Sequence, residues 1–258
     1  FLYRHDSLLI TLVLFIAIMV ANELGFRIGR FVQNRTDSEI KLLTGSIQAS
    51  ILGLLALLLG FTFSMSLQRF DNRSLALVAE ANAIGTTALR VQLLPESYQN
   101  TANELLQKYI EHRISVGKID LTRSSERLKF NHQISELQED LWSLAVEAAG
   151  EDPRPVTTGA FITSLNETID SQGRRNALLQ MHVPEVVLLL LLLVFIASGG
   201  MLGYSSGLSG KRVLAPTIMM TFLITMIVFI IIDLDRPKRG LIQVNQGSMV
   251  ELRQSAES

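Results

Sequence analysis

The side chains with chemistry to offer are few, and they are spread along the chain. Asp233 and Asp235 close a long apolar run and are followed by Arg236. A helix C-terminus carries partial negative charge, so an aspartate there costs about 0.3–1 kcal/mol. The pair therefore wants a cation: Arg236 beside it, or Arg69, Arg73, Arg174 or Arg175, which flank other apolar runs. Two carboxylates two residues apart fall short of the roughly 6–8 oxygens that calcium takes. A salt-bridged collar at a membrane surface is the simpler reading, with a cation site or a charged rim around a permeation path as the functional one. Glu80, Asn82, Thr86 and Arg90, with Thr87 among them, form a second polar group. They suit either the wall of a water-filled vestibule or hydrogen bonds between packed helices. His182 and Glu185, at i and i+3, could bind a metal or titrate, but an interfacial polar pair needs less. The four histidines do not gather, and there is no cysteine, which removes thiol catalysis, disulfides and thiolate metal sites. No Ser-His-Asp order, phosphate loop or nucleotide fingerprint is present. The chain reads as no enzyme, with no catalytic residue, no metal and no cofactor.

The element that must position these groups begins near Lys41. Residues 42–68 carry no charge, enough to cross a hydrocarbon core of ~30 Å, which takes about 20 helical residues. Beyond them Arg69, Asp71, Arg73 and Glu80 are residues of a water-exposed helix, yet nothing stops the helix before Pro95. One helix of roughly 50 residues, about 75 Å long at 1.5 Å per residue, is predicted. Its first half lies in lipid and its second half in water. Ser46, Ala49, Gly53, Ala56 and Gly60 recur at steps of three and four. Lipid tails are as apolar as leucine, so membrane helices associate where small residues let backbones approach. This seam packs against another helix, either of the same chain or of a second copy. In the run Phe61, Thr62, Phe63, Ser64, Met65 and Ser66, aromatics and hydroxyls alternate. The hydroxyls could line a pore, or bond to carbonyls of the preceding turn, which is the more ordinary use.

The rest of the chain supplies three further apolar segments, which makes this an all-α integral membrane protein with four transmembrane helices. Residues 7–28 are the first; their apolar core is long for a signal peptide and no A-x-A-like site follows, so a retained helix is favoured. Arg4, His5 and Asp6 precede it, and Glu23 and Arg27 can pair near its end. Residues 184–208 are the third span, with Gly199, Gly203 and Gly207 as G-x-x-x-G-x-x-x-G, a strong close-packing signal. Residues 213–232 are the fourth.

Composition agrees: 48% of residues are hydrophobic, yet the chain holds strongly charged amphipathic stretches between near-chargeless blocks. Domains are expected at 1–68 (spans one and two), 69–183 (a helical water-facing domain), 184–235 (spans three and four) and 236–258 (a polar tail after the Pro237-Lys238-Arg239 step). Within the second, Ile134, Leu137, Leu141, Leu144 and Ala148 form a heptad seam, and Gly150 reads as a helix stop. A net charge of −1 lacks the basic footprint that nucleic acid requires. The partners expected are membrane lipid, further copies of the chain and inorganic ions. The distribution of Lys and Arg around the spans is nearly even, and residues 69–183 are taken as cytoplasmic, in a bacterial inner membrane.

Two runs, GLLALLLGFTFSMSLQRFDNRSLALVAEANAIGTTALRVQLLP and DLDRPKRGLIQV, resemble the bacterial and plant family of unknown function called bestrophin-like. The resemblance implies four spans, a long second helix and a cytoplasmic helical domain. Further resemblance to bestrophins implies a symmetric, oligomeric anion channel lined by the second helix, with Phe61 and Phe63 as an aromatic constriction. The acidic calcium cluster of bestrophins has no counterpart here. Two functions follow as expectations: a homo-oligomeric ion channel for anions, or a non-conducting scaffold or sensor whose Ile134–Ala148 seam recruits a partner helix.

Overall fold

A computed structural model describes residues 6–116, 124–236 and 240–257 of the chain; Arg4, His5, Lys238 and Arg239 lie outside them. The described residues form eight α-helices and no strand: α1 (Ser7–Val32), α2 (Ser38–Arg90), α3 (Glu96–Val116), α4 (Ser124–Glu151), α5 (Thr158–Gln180), α6 (Glu185–Ser209), α7 (Leu214–Leu234) and α8 (Gly247–Glu257). Four segments are long and apolar enough to cross a membrane, in α1, α2, α6 and α7.

Local chemistry sets the boundaries. The Asp37 carbonyl accepts the Lys41 N–H at 3.2 Å, opening α2. α2 then runs unbroken for 53 residues, through Arg69, until Val91–Leu93 tighten into a 3₁₀ turn before Pro95. Gly210 closes α6 in the left-handed conformation at φ 69, where a side chain would strain the backbone. Gly150 does not stop α4, which continues to Glu151. The helix ends as Pro153 approaches, since a proline disfavours the α region for the residue before it.

By contact the chain divides into two compact units, Phe1–Gln68 with His182–Arg236, and Arg69–Met181 with Pro237–Ser258. In the first, α1 and α6 meet along glycine. A Cβ on Gly203 would overlap the carbonyl of Asn22, one on Gly207 that of Phe26, and ones on Gly25 and Gly29 those of Gly200 and Tyr204. The glycines of both helices thus interleave, and Asn22 Nδ2 donates to the Gly199 carbonyl at 3.1 Å to lock the register. Around this seam Ile10, Leu14 and Ile18 of α1, Leu55 of α2, Leu191 and Phe195 of α6, and Val228 and Ile232 of α7 form the apolar core.

The second unit has two clusters. Leu106 of α3, Leu141, Leu144 and Ala148 of α4, and Phe161 and Leu165 of α5 make one. Leu77 and Ile84 of α2, Tyr109 and Ile110 of α3, Ile134 of α4 and Met249 of α8 make the other. The heptad seam of α4 is therefore spent inside the unit. The C-terminal residues are not a polar tail either: α8 buries Met249 and lays Leu252 against Gly85.

Candidate functional site

The second helix carries one face that the rest of the chain leaves open. Ser46, Ser50, Gly53, Leu57, Gly60, Ser64 and Gln68 are all exposed, and at steps of three and four they line one side of the apolar half of α2. In the other unit Asp71, Leu75, Val78, Asn82, Thr86 and Leu89 are likewise exposed on one side of the polar half of α2. The opposite side is buried at Thr44, Leu55, Thr62, Ser66, Arg73, Leu77, Glu80, Ile84 and Thr87. A Cβ added to Gly53 or Gly60 would meet no atom of the described residues within 4 Å. The small-residue seam of α2 thus has no partner helix within the described residues of its own chain, whereas that of α6 at Gly199, Gly203 and Gly207 is filled by α1.

The four residues singled out for a pore separate accordingly. Ser64 stands on the open stripe. Phe61 is beside it, 61% exposed and one turn from Leu57. Phe63 faces the other way, half-buried against the cluster of Val183, Leu188 and Ile231. Thr62 is buried and donates its hydroxyl to the Leu58 carbonyl at 2.7 Å. The structure gives that hydroxyl the ordinary role, a back-bond to the preceding turn.

Among the vestibule candidates, Asn82 and Thr86 lie on the exposed side of the polar half of α2 and Glu80 does not. Glu80 is fully buried, gripped by Arg113 through Nε and by Arg175, whose Nη1 lies 2.7 Å from Oε2. Arg175 reaches on to Gln246 Oε1 at 3.2 Å. The carboxylate is the junction of α2, α3, α5 and the segment leading into α8. Its environment is dry enough that burial pushes the nearby Tyr109 phenol up to about 12. Arg90 is half-buried and donates to the Ala160 carbonyl of α5 at 2.9 Å, while Thr87 meets Thr168 at 2.8 Å. Arg113, Arg175 and Gln246 were invisible as a group in the sequence; only the sign of the charges could have suggested them.

The aspartates that close α7 answer helix N-termini. Asp235 Oδ2 accepts the Val183 N–H at 2.8 Å, just ahead of α6, and the His182 ring lies beside it, Nδ1 at 3.9 Å. Asp233 Oδ1 accepts the Ser7 hydroxyl at 3.2 Å, at the first residue of α1. Both carboxylates are fully buried, and Arg236 is nearly so. An anion that is unfavourable at the end of its own helix is favourable at the start of another, which accounts for acidic residues at this position. The starts of α1 and α6 and the end of α7 accordingly share one end of the unit. In the other unit Arg73 serves the opposite polarity: it donates to the Leu178 carbonyl at 3.2 Å and the Met181 carbonyl at 2.6 Å, satisfying the end of α5. Arg69 is half-buried. Among the described residues no three His, Asp or Glu side chains could hold a metal ion.

Comparison with known proteins gives a family and a fold. No curated protein sequence matches. Crystal structures of single-residue variants of a bacterial bestrophin homolog from Klebsiella pneumoniae are similar over nearly the whole length. One superposes with a TM-score of 0.71 at 13% identity, covering 95% of this chain and 96% of that one. Another gives a TM-score of 0.67 at 16% identity, covering 98% and 97%. At such identities the likeness is one of fold. The Bestrophin-like domain model matches residues 15–249, and the chain belongs to the Bestrophin-like family.

Proposed function

We propose that this chain assembles into a homo-oligomeric, anion-conducting channel in which the open stripe of α2 faces the symmetry axis. The observation that carries this reading is the stripe itself. It follows the apolar half of α2, is free of charge from Ser46 to Gln68, is exposed throughout, and leaves open space at Gly53 and Gly60 among the described residues. Small residues leave room around an axis, and copies of the helix can approach closely at Gly53 and Gly60. The choice of anions rests on membership of the Bestrophin-like family and its resemblance to bestrophins. Spans one and two, spans three and four, and the helical part of residues 69–181 with the C-terminal segment are taken as the working domains. The helical part would face the cytoplasm of a bacterium whose inner membrane holds the spans.

The constriction belongs to Leu57 and Phe61, one turn apart on or beside the stripe, and not to Phe63. A ring of such side chains closes a pore by excluding water. Ser64, one turn further on, offers hydroxyls to a dehydrating ion. The scaffold alternative loses its motivation, because the Ile134–Ala148 seam is buried within its own unit.

The test is current through planar bilayers containing the purified protein. Leu57→Ala and Phe61→Ala should raise conductance or open probability, and Phe63→Ala should act through stability alone. Silence from the wild type and from both widening variants would remove the channel reading.

A further inference from the structure

The far ends of α1 and α6 gather positive charge around one carboxylate. Arg27 bonds Glu23 at 2.9 Å, and Arg212 reaches the same oxygen at 3.1 Å from the α6–α7 turn. Arg212 also lies 4.5 Å from the centre of the Phe26 ring, which fixes its plane. Arg30 donates to the Gly210 carbonyl at 2.9 Å, so its guanidinium is held over the same turn. Lys211 is exposed beside them. Two of these cations share Glu23, Arg30 is held over the adjoining turn, and Lys211 follows it in sequence, so the four basic residues outnumber the one carboxylate bonded to them, on a patch whose arginines are oriented by bonds within the unit.

The surface next to this patch is apolar. Arg27 lies on the face of α1 that runs back toward the helix start through Leu24, Val20 and Ile16, all exposed. An apolar stripe that ends in oriented guanidiniums has the shape of a lipid: hydrocarbon against one part, an anionic phosphate against the other. Arginine forks match phosphate oxygens two at a time, and basic clusters at span ends attract anionic headgroups.

We infer that the patch made by Arg27, Arg30, Lys211 and Arg212 is a binding site for the headgroup of an anionic phospholipid, with its acyl chains along Leu24, Val20 and Ile16. The proposal commits to a lipid and not to a soluble phosphate, because the apolar stripe continues from the cations. It stands apart from the pore reading, since what it predicts is bound lipid and not current.

The test uses the full chain in nanodiscs of phosphatidylcholine mixed equally with phosphatidylglycerol. Native mass spectrometry after release into detergent should retain phosphatidylglycerol in preference to phosphatidylcholine by at least tenfold. The double variant Arg30→Gln with Arg212→Gln should abolish that preference, and Arg212→Lys, which keeps charge but loses the fork, should weaken it. Arg27→Gln alone touches only an exposed ion pair and keeps the test alive if the double variant does not fold. Inorganic phosphate, offered as competitor, should leave the lipid in place. Equal retention of the two lipids, indifference to all the substitutions, or displacement by inorganic phosphate would each overturn the site.

Discussion

Two helices of this protein carry the same signature and put it to different uses. In α6, Gly199, Gly203 and Gly207 stand four apart; in α2, Ser46, Ala49, Gly53, Ala56 and Gly60 stand three and four apart. The first row is consumed within the chain, pressed against the backbone of α1 at Ile18, Asn22 and Phe26, whereas the second meets none of the described residues at Gly53 or Gly60. The difference lies in the partner. α1 brings its own row, with Gly25 and Gly29 facing Gly200 and Tyr204, so the approach is mutual. No other described helix brings such a row to α2. A small-residue pattern thus states how near a neighbour can come and leaves open which neighbour it is.

The contrast can be broken most severely at Gly203. Gly203→Val places a branched side chain where the Asn22 carbonyl already sits, and backbone cannot yield as a flexible side chain can. We expect loss of folded protein, read as failure to express in membranes or as a collapse of thermal stability in detergent. If Gly203→Val folds as wild type does, α1 and α6 are not packed as described.

The same change in α2 should spare the fold and touch assembly. A Cβ at Gly60 finds open space, so Gly60→Ala should leave each subunit intact, or stabilise it by about 0.5–1 kcal/mol through helix propensity. Gly60→Val should shift the oligomer distribution in light scattering or native mass spectrometry. An unchanged distribution would mean that the open row does not meet another copy.

The smallest effect sharpens the comparison by acting where neither seam lies. His112 stacks on Phe130 at 4.8 Å between ring centres, and burial holds its imidazole below the ordinary histidine range. The unfolded chain then takes up a proton that the folded one refuses as pH falls below about 6.5. Stability of the helical unit should decline on acidification through that value and level off once the folded imidazole also protonates. His112→Leu should flatten that decline when unfolding is followed against pH, and the membrane seams should be indifferent to it.

Much of this arrangement was legible in the residues. The four apolar runs, the uninterrupted length of α2 and the close-packing row of α6 follow from hydropathy, from the absence of proline before Pro95 and from glycine spacing. What escaped has a physical reason in each case. Gly25 and Gly29 were readable as a row, but two glycines in a short register stand out less than three. Glu80 is left open by sequence between a vestibule wall and a buried bond, because its ligands, Arg113 and Arg175, are 33 and 95 residues away, and no local pattern records such a distance. Removing that carboxylate would leave two guanidiniums buried together, so its role is cohesion within the unit. The facing of Phe61 and Phe63 was ambiguous because two residues apart on a helix is neither the same side nor the opposite one. The C-terminal segment reads polar by composition, yet Met249, with Val244 and Leu252 beside it, anchors it to the helical unit.

The aspartates of α7 carry a consequence for biogenesis. Ser7 and Asp233 are separated by 226 positions, so the opening turn of the first span waits for a group that is synthesised 226 residues later. Until the fourth span is threaded, the starts of α1 and α6 lack their carboxylates, and the earlier spans form an unfinished assembly that a quality-control protease can recognise. The fourth span is the latch of the membrane unit, and chains cut before Asp233 should be cleared from the cell and not accumulate as partial bundles.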